Sequence, residues 1–428
     1  MQLNPAIARS QYNSRPFWTY KRYKLWFKTR PDSLKCILVV VLVFPLFAGL
    51  WDMKQLGVSP LQVLGMAVFC LASITALTRR ARGNPLNFFF YFFFSLLLLN
   101  VMLVLAYEGT FHQFGHTVRT ILPFVLILFF RKVITSRYDL EGFLLTFLLA
   151  SIFPVITLYY EILFSPIREV YNTASRGGGL RLSGFYSDLF GYMSHLICGF
   201  ICYGYFYIKQ PKNYKSIIFG PLGFTLVTAI FFIGVFNLRH QSSWAVSIIL
   251  VFMFLYFVRK RINFTQQAFL LACFLGVVIY FYMNIFEVLY AKDIRVFSGD
   301  ARESAALNGR VWIWQRYFAY WEGFSLFSVL FGSGFEFHPV VKIMISGGMH
   351  NDFIRLLFTT GVVGILAYIF YLMSICFSSI FIASPELRYV TLSTLVVVMM
   401  YGISALPLLS SGAMLYFIAA MFSQVNIK

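Results

Sequence analysis

Residues 353–383 read FIRLLFTTGVVGILAYIFYLMSICFSSIFIA, with Arg355 as the one charge in the run. A spanning helix needs about 20 mostly apolar residues, so this stretch predicts a membrane helix, and a long one. The rest of the chain agrees. Of 428 residues, 59% are hydrophobic, 20% aromatic and 12% charged, with 51 Phe. Soluble domains are about 45–50% apolar and about 25% charged. No core hides this much apolar surface from water, which excludes a soluble enzyme. Low hydrophobicity is the mark of disorder, so disorder is excluded too.

The sequence predicts an all-α polytopic membrane protein with about 12 transmembrane helices. The candidate spans are roughly 36–50, 59–78, 86–107, 117–130, 142–163, 185–208, 216–236, 243–258, 267–286, 353–383, 388–407 and 409–424. Lys and Arg gather on the cytoplasmic side of membrane proteins. With the N-terminus inside, the leader holds Arg9, Arg15, Lys21, Arg22, Lys24, Lys28, Arg30 and Lys35. The inner connections then carry Arg79, Arg80 and Arg82; Arg131, Lys132 and Arg137; Lys209, Lys212 and Lys215; and Arg259, Lys260 and Arg261. Arg388 lies in the last of them, and the tail ends at Lys428. Short outer loops hold Lys54, Arg119 and Arg239. The net charge of +19 is thus mainly a record of topology, not a nucleic-acid footprint.

The chain divides into a basic cytoplasmic segment (1–35), nine spans (36–286), a large periplasmic loop (287–352), three spans (353–424) and a cytoplasmic tail (425–428). The basic leader, and the lack of a small-residue cleavage site after Leu50, argue against a cleaved signal peptide.

Ten basic residues depart from this pattern. Arg168, Arg176 and Arg181 lie in the outer connection 164–184, beside the Gly177-Gly178-Gly179 run. Lys292, Arg295, Arg302, Arg310, Arg316, Lys342 and Arg355 lie in or beside the large loop. Topology gives no reason for them, so they point to an anionic partner. Within the loop, 309–324 reads GRVWIWQRYFAYWEGF. Trp314, Tyr317, Phe318 and Trp321 recur at i, i+3, i+4 and i+7, one face of a helix. Arg310 stands one turn before Trp314, at the apparent helix start after Asn308-Gly309. Such a helix suits the headgroup region, with arginine beside a lipid phosphate; an aromatic packing face is the plainer alternative. The turn Phe331-Gly332-Ser333-Gly334-Phe335 is too short for a phosphate-binding loop and reads as a tight turn at the membrane surface.

All six cysteines fall in predicted spans, with no disulfide framework or metal motif. HExxH and DxD are absent. Of six histidines, His112, His116, His240, His338 and His350 fall on the outer side, and His195 lies in a span.

From His350 the chain reads HNDFIRLLFTTGVVG: His-Asn, nine residues, Gly361, two residues, Gly364. This resembles the signature of the bacterial O-antigen ligase and O-antigen polymerase superfamily, in which His and then Asn, Ser or Gln precede a GxxG. Here too it ends the large outer loop and opens a late span. It follows a GRxxxW-like segment (Gly309, Arg310, Trp314) and a Leu330-Phe331-Gly332-Ser333-Gly334 turn. Arg181-Leu182-Ser183-Gly184 is similar to a further family feature. The resemblance covers essentially the whole chain.

The resemblance implies transfer of a glycan from undecaprenyl pyrophosphate to an acceptor hydroxyl at the periplasmic face of the bacterial inner membrane. The anomeric carbon inverts, and no metal or cofactor is needed. Ligases use lipid A–core as acceptor; polymerases use a second lipid-linked repeat. His350 matches the motif histidine, the general base, with Asn351, Gly361 and Gly364 completing the motif. Arg310 matches the large-loop arginine, a pyrophosphate ligand. The family's Ser-Arg pair is absent: 237–244 reads NLRHQSSW. Arg239 is the nearest equivalent, although Gln241 takes the arginine's position if Trp244 is the anchor. Arg181 is a third candidate pyrophosphate ligand.

The chemistry suits these residue types. Arginine stays charged and forks onto phosphate oxygens, offsetting charge on a leaving pyrophosphate. Histidine can take the proton of a poorly nucleophilic hydroxyl. The expected function is ligase-type, with the repeat-unit polymerase as the alternative and a lipid-linked oligosaccharide flippase as the remote one. Against a flippase stand the lack of a visible internal repeat, the few ionisable residues deep in spans and the lone large loop.

Overall fold

In the computed structural model the described residues are 19–48, 60–80, 86–108, 114–167, 170–171, 180–182, 184, 186, 189–210, 218–238, 240–259, 310–333, 351–404 and 413–424, with scattered positions between 262 and 299. The main helices are α1 (Tyr20–Thr29), α2 (Asp32–Ala48), α3 (Pro60–Thr78), α4 (Phe88–Glu108), α5 (Phe114–Val133), α6 (Arg137–Ala150), α7 (Ile152–Leu163), α8 (Leu189–Lys209), α9 (Pro221–Asn237), α10 (Gln241–Val258), α11 (Arg310–Trp321), α12 (Leu326–Phe331), α13 (Asp352–Ile380), α14 (Pro385–Ser404) and α15 (Ala413–Ser423). A two-residue antiparallel ladder pairs β1 (Val170–Tyr171) with β2 (Leu180–Arg181).

Among the described residues, three helical stretches are long and apolar enough to cross a membrane: Arg137–Leu163, Asp352–Ile380 and Pro385–Ser404. Shorter apolar helices include Val63–Thr78, Phe88–Leu103, Leu222–Val235, Ser242–Val258 and Ala413–Ser423. The described architecture is therefore all-α apart from the ladder, and its apolar helices are compatible with a membrane-embedded chain. α13 packs along α4, α14 against α8 and α10, and α15 against α5 and α8. Aromatic side chains fill the seams: Phe93 lies 5.0 Å from Phe124 and 5.2 Å from Tyr368.

Two expected spans are interrupted. The stretch expected as 142–163 starts earlier, at Arg137, and turns at Ser151 between α6 and α7. Ser151 Oγ donates to the carbonyls of Phe147 and His195 at 2.9 and 3.0 Å. The run 353–383 is broken at Gly361 inside α13.

Several basic residues expected on the inner side pair with buried carboxylates. Asp139 and Glu141 are buried in the first turns of α6. Arg30 pairs with Asp139, which also takes the Trp26 Nε1 proton at 3.2 Å and the Thr135 N–H at 3.1 Å. Glu141 receives Lys209 at 2.5 Å and the Tyr205 hydroxyl at 3.1 Å. Arg137 reaches Glu386 on α14 and lies 3.5 Å from Glu141. Arg388 donates to the Ile382 carbonyl at the end of α13, at 3.1 and 2.6 Å. A buried carboxylate is tolerable only when paired and hydrogen-bonded, and these cations supply that.

Asp139→Ala leaves Arg30 without its carboxylate and Trp26 without its acceptor. The expected loss is roughly 2–4 kcal/mol, because Arg30 keeps some access to water. Asp139→Asn, which keeps an acceptor for Trp26, should cost less. Unfolding of the purified protein in detergent checks the order; equal stability of both variants and the parent would contradict it.

Candidate functional site

The first turns of α13 gather the described part of the site. Asn351 is its N-cap: the backbone is extended (φ −152°, ψ 110°) and the side-chain oxygen accepts from Ile354 N–H at 3.0 Å. An N-cap oxygen satisfies an amide that the helix cannot. Asn351 thus has a structural task that explains a short polar residue here. His350 precedes it in the chain and lies outside the described residues.

Gly361 has φ 70° and ψ −177°, a backbone region that is essentially glycine's alone. The break admits α12. Gly332, which ends α12 at φ 91° and ψ 163°, has the same requirement. A Cβ on Gly332 would overlap the Thr359 carbonyl, and one on Gly361 the Leu330 carbonyl. Backbone meets backbone there, and Ser333 N–H donates to the Phe358 carbonyl at 3.3 Å. Asn100 of α4 donates to the Phe331 carbonyl at 2.8 Å and holds α12 from the other side. The Phe331–Phe335 turn is therefore a glycine joint between two helices as far as it is described. Gly364 differs: the nearest atoms a Cβ there would meet belong to the Thr360 side chain.

α11 begins at Arg310 and docks on the same turns of α13. Tyr317 is buried, and Tyr317, Phe318, Trp321 and Phe324 surround Phe358 at ring distances of 6.0, 5.8, 5.7 and 6.3 Å. The aromatic face is thus a socket for Phe358, as the plainer alternative had it. Trp312, off that face, is covered by the Arg316 guanidinium at 4.0 Å. Arg310 is half-buried, two helical turns or about 10 Å before Tyr317.

The sequence placed Arg355 with the loop cations and Arg119 in a short outer loop; both lie on helices. Arg355 is 5% exposed, one turn before Phe358 on α13. Its Nη2 donates to Thr120 Oγ1 on α5 at 3.2 Å. Arg119, next to Thr120, acts on Arg355 electrostatically, as does Tyr317. Burial pushes the Tyr317 hydroxyl pKa up, and the Arg355 charge opposes it. A spacing of five from His350 within an apolar run is the only signal the sequence gives for Arg355. Asp352, buried at the helix start, is the acidic neighbour.

The other expected residues are less defined. Arg181 stands on β2 opposite Val170, and its side chain lies outside the described residues. Glu161 fixes that connection, accepting from Ile167 N–H at 3.0 Å and Gly184 N–H at 2.8 Å. Arg239 lies outside the described residues. Its neighbour His240 caps α10, with Nδ1 2.6 Å from Ser243 Oγ. His195 is a packed core histidine: Nδ1 lies 3.0 Å from the Tyr186 hydroxyl and 3.2 Å from the Gly191 carbonyl, among the rings of Phe44, Phe147 and Tyr186. Among the described residues, no three His, Cys, Asp or Glu side chains gather as a metal site.

The chain matches no protein-family model and no curated protein.

Gly361→Ala should expel α12 and cost at least about 2 kcal/mol from backbone strain alone, before the overlap is counted. Gly364→Ala should cost less, because Gly364 has no positive φ and its Cβ would meet a side chain of its own helix rather than a neighbour's backbone. Asn351→Ala should cost about 1 kcal/mol and Asn351→Ser little. Thermal unfolding in detergent, with limited proteolysis of the α12 region, checks all four; equal loss for both glycine variants would refute the joint.

Proposed function

We propose that the chain is an integral-membrane glycosyltransferase of the O-antigen ligase and polymerase superfamily, metal-independent and inverting. The proposed donor is a glycan on undecaprenyl pyrophosphate, and lipid A–core is the proposed acceptor. The proposal keeps twelve spans, both termini in the cytoplasm of a bacterium, and chemistry at the periplasmic face of its inner membrane. One observation carries this reading: Asn351, Gly361 and Gly364, which carry much of the sequence resemblance, lie along α13, Gly332 packs against it, and the helix that Arg310 opens docks on its Phe358. Residues that only decorated unrelated loops would have no reason to converge there.

In the proposed reaction the acceptor oxygen attacks the anomeric carbon from the face opposite the pyrophosphate. The carbon–oxygen bond to pyrophosphate breaks, and the acceptor's proton passes to His350. General-base help of this kind contributes typically about 10²–10⁴-fold. Negative charge collects on the departing pyrophosphate. Arg310 meets it directly, with Arg181 and Arg239 as the further ligands. Arg355, in the first turn of α13, and Arg119 on α5 add positive potential at the helix end whose dipole already favours an anion.

His350→Ala and Arg310→Ala should each reduce glycan transfer by at least about 10²-fold in a membrane assay, while the protein still inserts. His338→Ala should leave transfer intact. Normal transfer by either of the first two would remove that residue from the mechanism. Lipid A–core and a second lipid-linked repeat should be offered separately as acceptor. Elongation of repeats alone would make the enzyme a polymerase. Chelation of divalent ions should leave the rate unchanged; strong inhibition would overturn the metal-free reading.

A further inference from the structure

α1 is fixed along the flank of the bundle rather than beyond its end. The Tyr23 hydroxyl and Thr146 Oγ1 lie 2.8 Å apart, Trp26 Nε1 donates to Asp139 at 3.2 Å, and Arg30 pairs with Asp139. Trp26 is 1% exposed and sits where a Cβ on Gly142 would overlap its ring. Contacts from Asp139 to Thr146 place α1 antiparallel to α6 over about 10 Å. α6 opens one of the stretches long enough to cross a membrane, and the outer side of α1 is exposed beside it.

That outer side has a definite composition. Tyr20, Lys21, Lys24, Leu25 and Lys28 are all exposed, at i, i+1, i+4, i+5 and i+8, one helical face. Tyr20 is 77% and Leu25 49% exposed. Lys24 Nζ lies 5.9 Å from the centre of the Tyr20 ring. The five basic residues of the helix and its cap divide: Arg30 turns inward to Asp139, Arg22 is half-buried, and Lys21, Lys24 and Lys28 stay outside. A topology signal needs only positive charge near the membrane. It needs neither an ordered helix nor a tryptophan anchored in a glycine notch.

We propose that α1 is an anionic-lipid clamp whose outward face, formed by Tyr20, Lys21, Lys24, Leu25 and Lys28, binds acidic phospholipid headgroups of the adjoining leaflet. Tyr20 and Leu25 enter the boundary between headgroups and acyl chains, and the lysine stems carry their ammonium groups out to the phosphates. Alternation of apolar and cationic side chains fits a charged lipid better than a free anion, which has no use for the apolar positions. The clamp lies at the Asp139 end of the bundle and takes no part in the proposed transfer chemistry.

The test uses the full-length protein in detergent, with native mass spectrometry reading retained phosphatidylglycerol against phosphatidylcholine. The parent should retain phosphatidylglycerol preferentially, and added salt should weaken retention. Lys→Gln changes at 21, 24 and 28 should cut the preference by up to about five-fold for each lysine removed, with the unfolding midpoint unchanged. If the triple variant misfolds, Lys24→Gln alone gives the same reading with a smaller effect. Lys→Arg changes at the three positions should keep the preference. Equal retention of both lipids by the parent would overturn the proposal. So would an undiminished preference in the folded glutamine variants, or its loss in a folded arginine variant.

Discussion

At Gly361 the helical backbone of α13 is interrupted, and the end of α12 presses into the gap. The contact is main chain on main chain. The Phe358 carbonyl accepts from Ser333 N–H, and Gly332 and Gly361 each lie where a neighbour's carbonyl leaves no room for Cβ. A break in a helix of this apolarity is costly unless its freed polar groups are met again, because the bilayer offers no water. α12 meets that need for Phe358, and Asn100 of α4 secures α12 in turn. The position of α12 therefore depends on two glycines and one asparagine, not on apolar burial: none of its residues is buried.

The joint makes the start of α13 a hub. Within two turns, Asn351 closes the helix end, Arg355 reaches Thr120 on α5, and Phe358 fills the socket of α11. Arg355 and Phe358 are three residues apart and share a face. A displacement of α11 is therefore felt at Arg355 through Phe358 and Tyr317. Arg310, at the first position of α11, inherits its place from the same contacts. Pre-organised cations are worth more to a leaving anion than cations that must be gathered first; under the proposed function, the aromatic socket supplies that order.

Much of this was legible in the sequence, and the rest was hidden for physical reasons. Apolar runs declare themselves because one solvent selects them along the whole helix. The start of α11 at Arg310 was legible too, from the aromatic spacing that follows it. The break at Gly361 was not, since a GxxG within an apolar run reads equally well as close packing of a straight helix. What distinguishes the two is the carbonyl of Leu330, and no local pattern reports it. Arg355 fell inside an expected span, but its role was not legible, since its partner Thr120 is 235 residues away. Asp139 and Glu141 went unread because orientation is argued from Lys and Arg alone.

Those two acids change the meaning of the positive charge. A basic residue inside the membrane's cytoplasmic edge can satisfy topology without touching anything. Arg30, Lys209 and Arg137 instead converge on buried carboxylates from α1, α8 and the start of α6, and Arg137 links them to Glu386 on α14. Removing a cation from such a group leaves a buried carboxylate uncompensated, so the cluster resists piecemeal change. It fixes one end of the bundle by charge, while the glycine joint fixes the start of α13 by close approach. The two devices are independent, and α13 connects them: it carries the joint at Gly361 and ends where Arg388 caps Ile382, three residues from the first turn that carries Glu386.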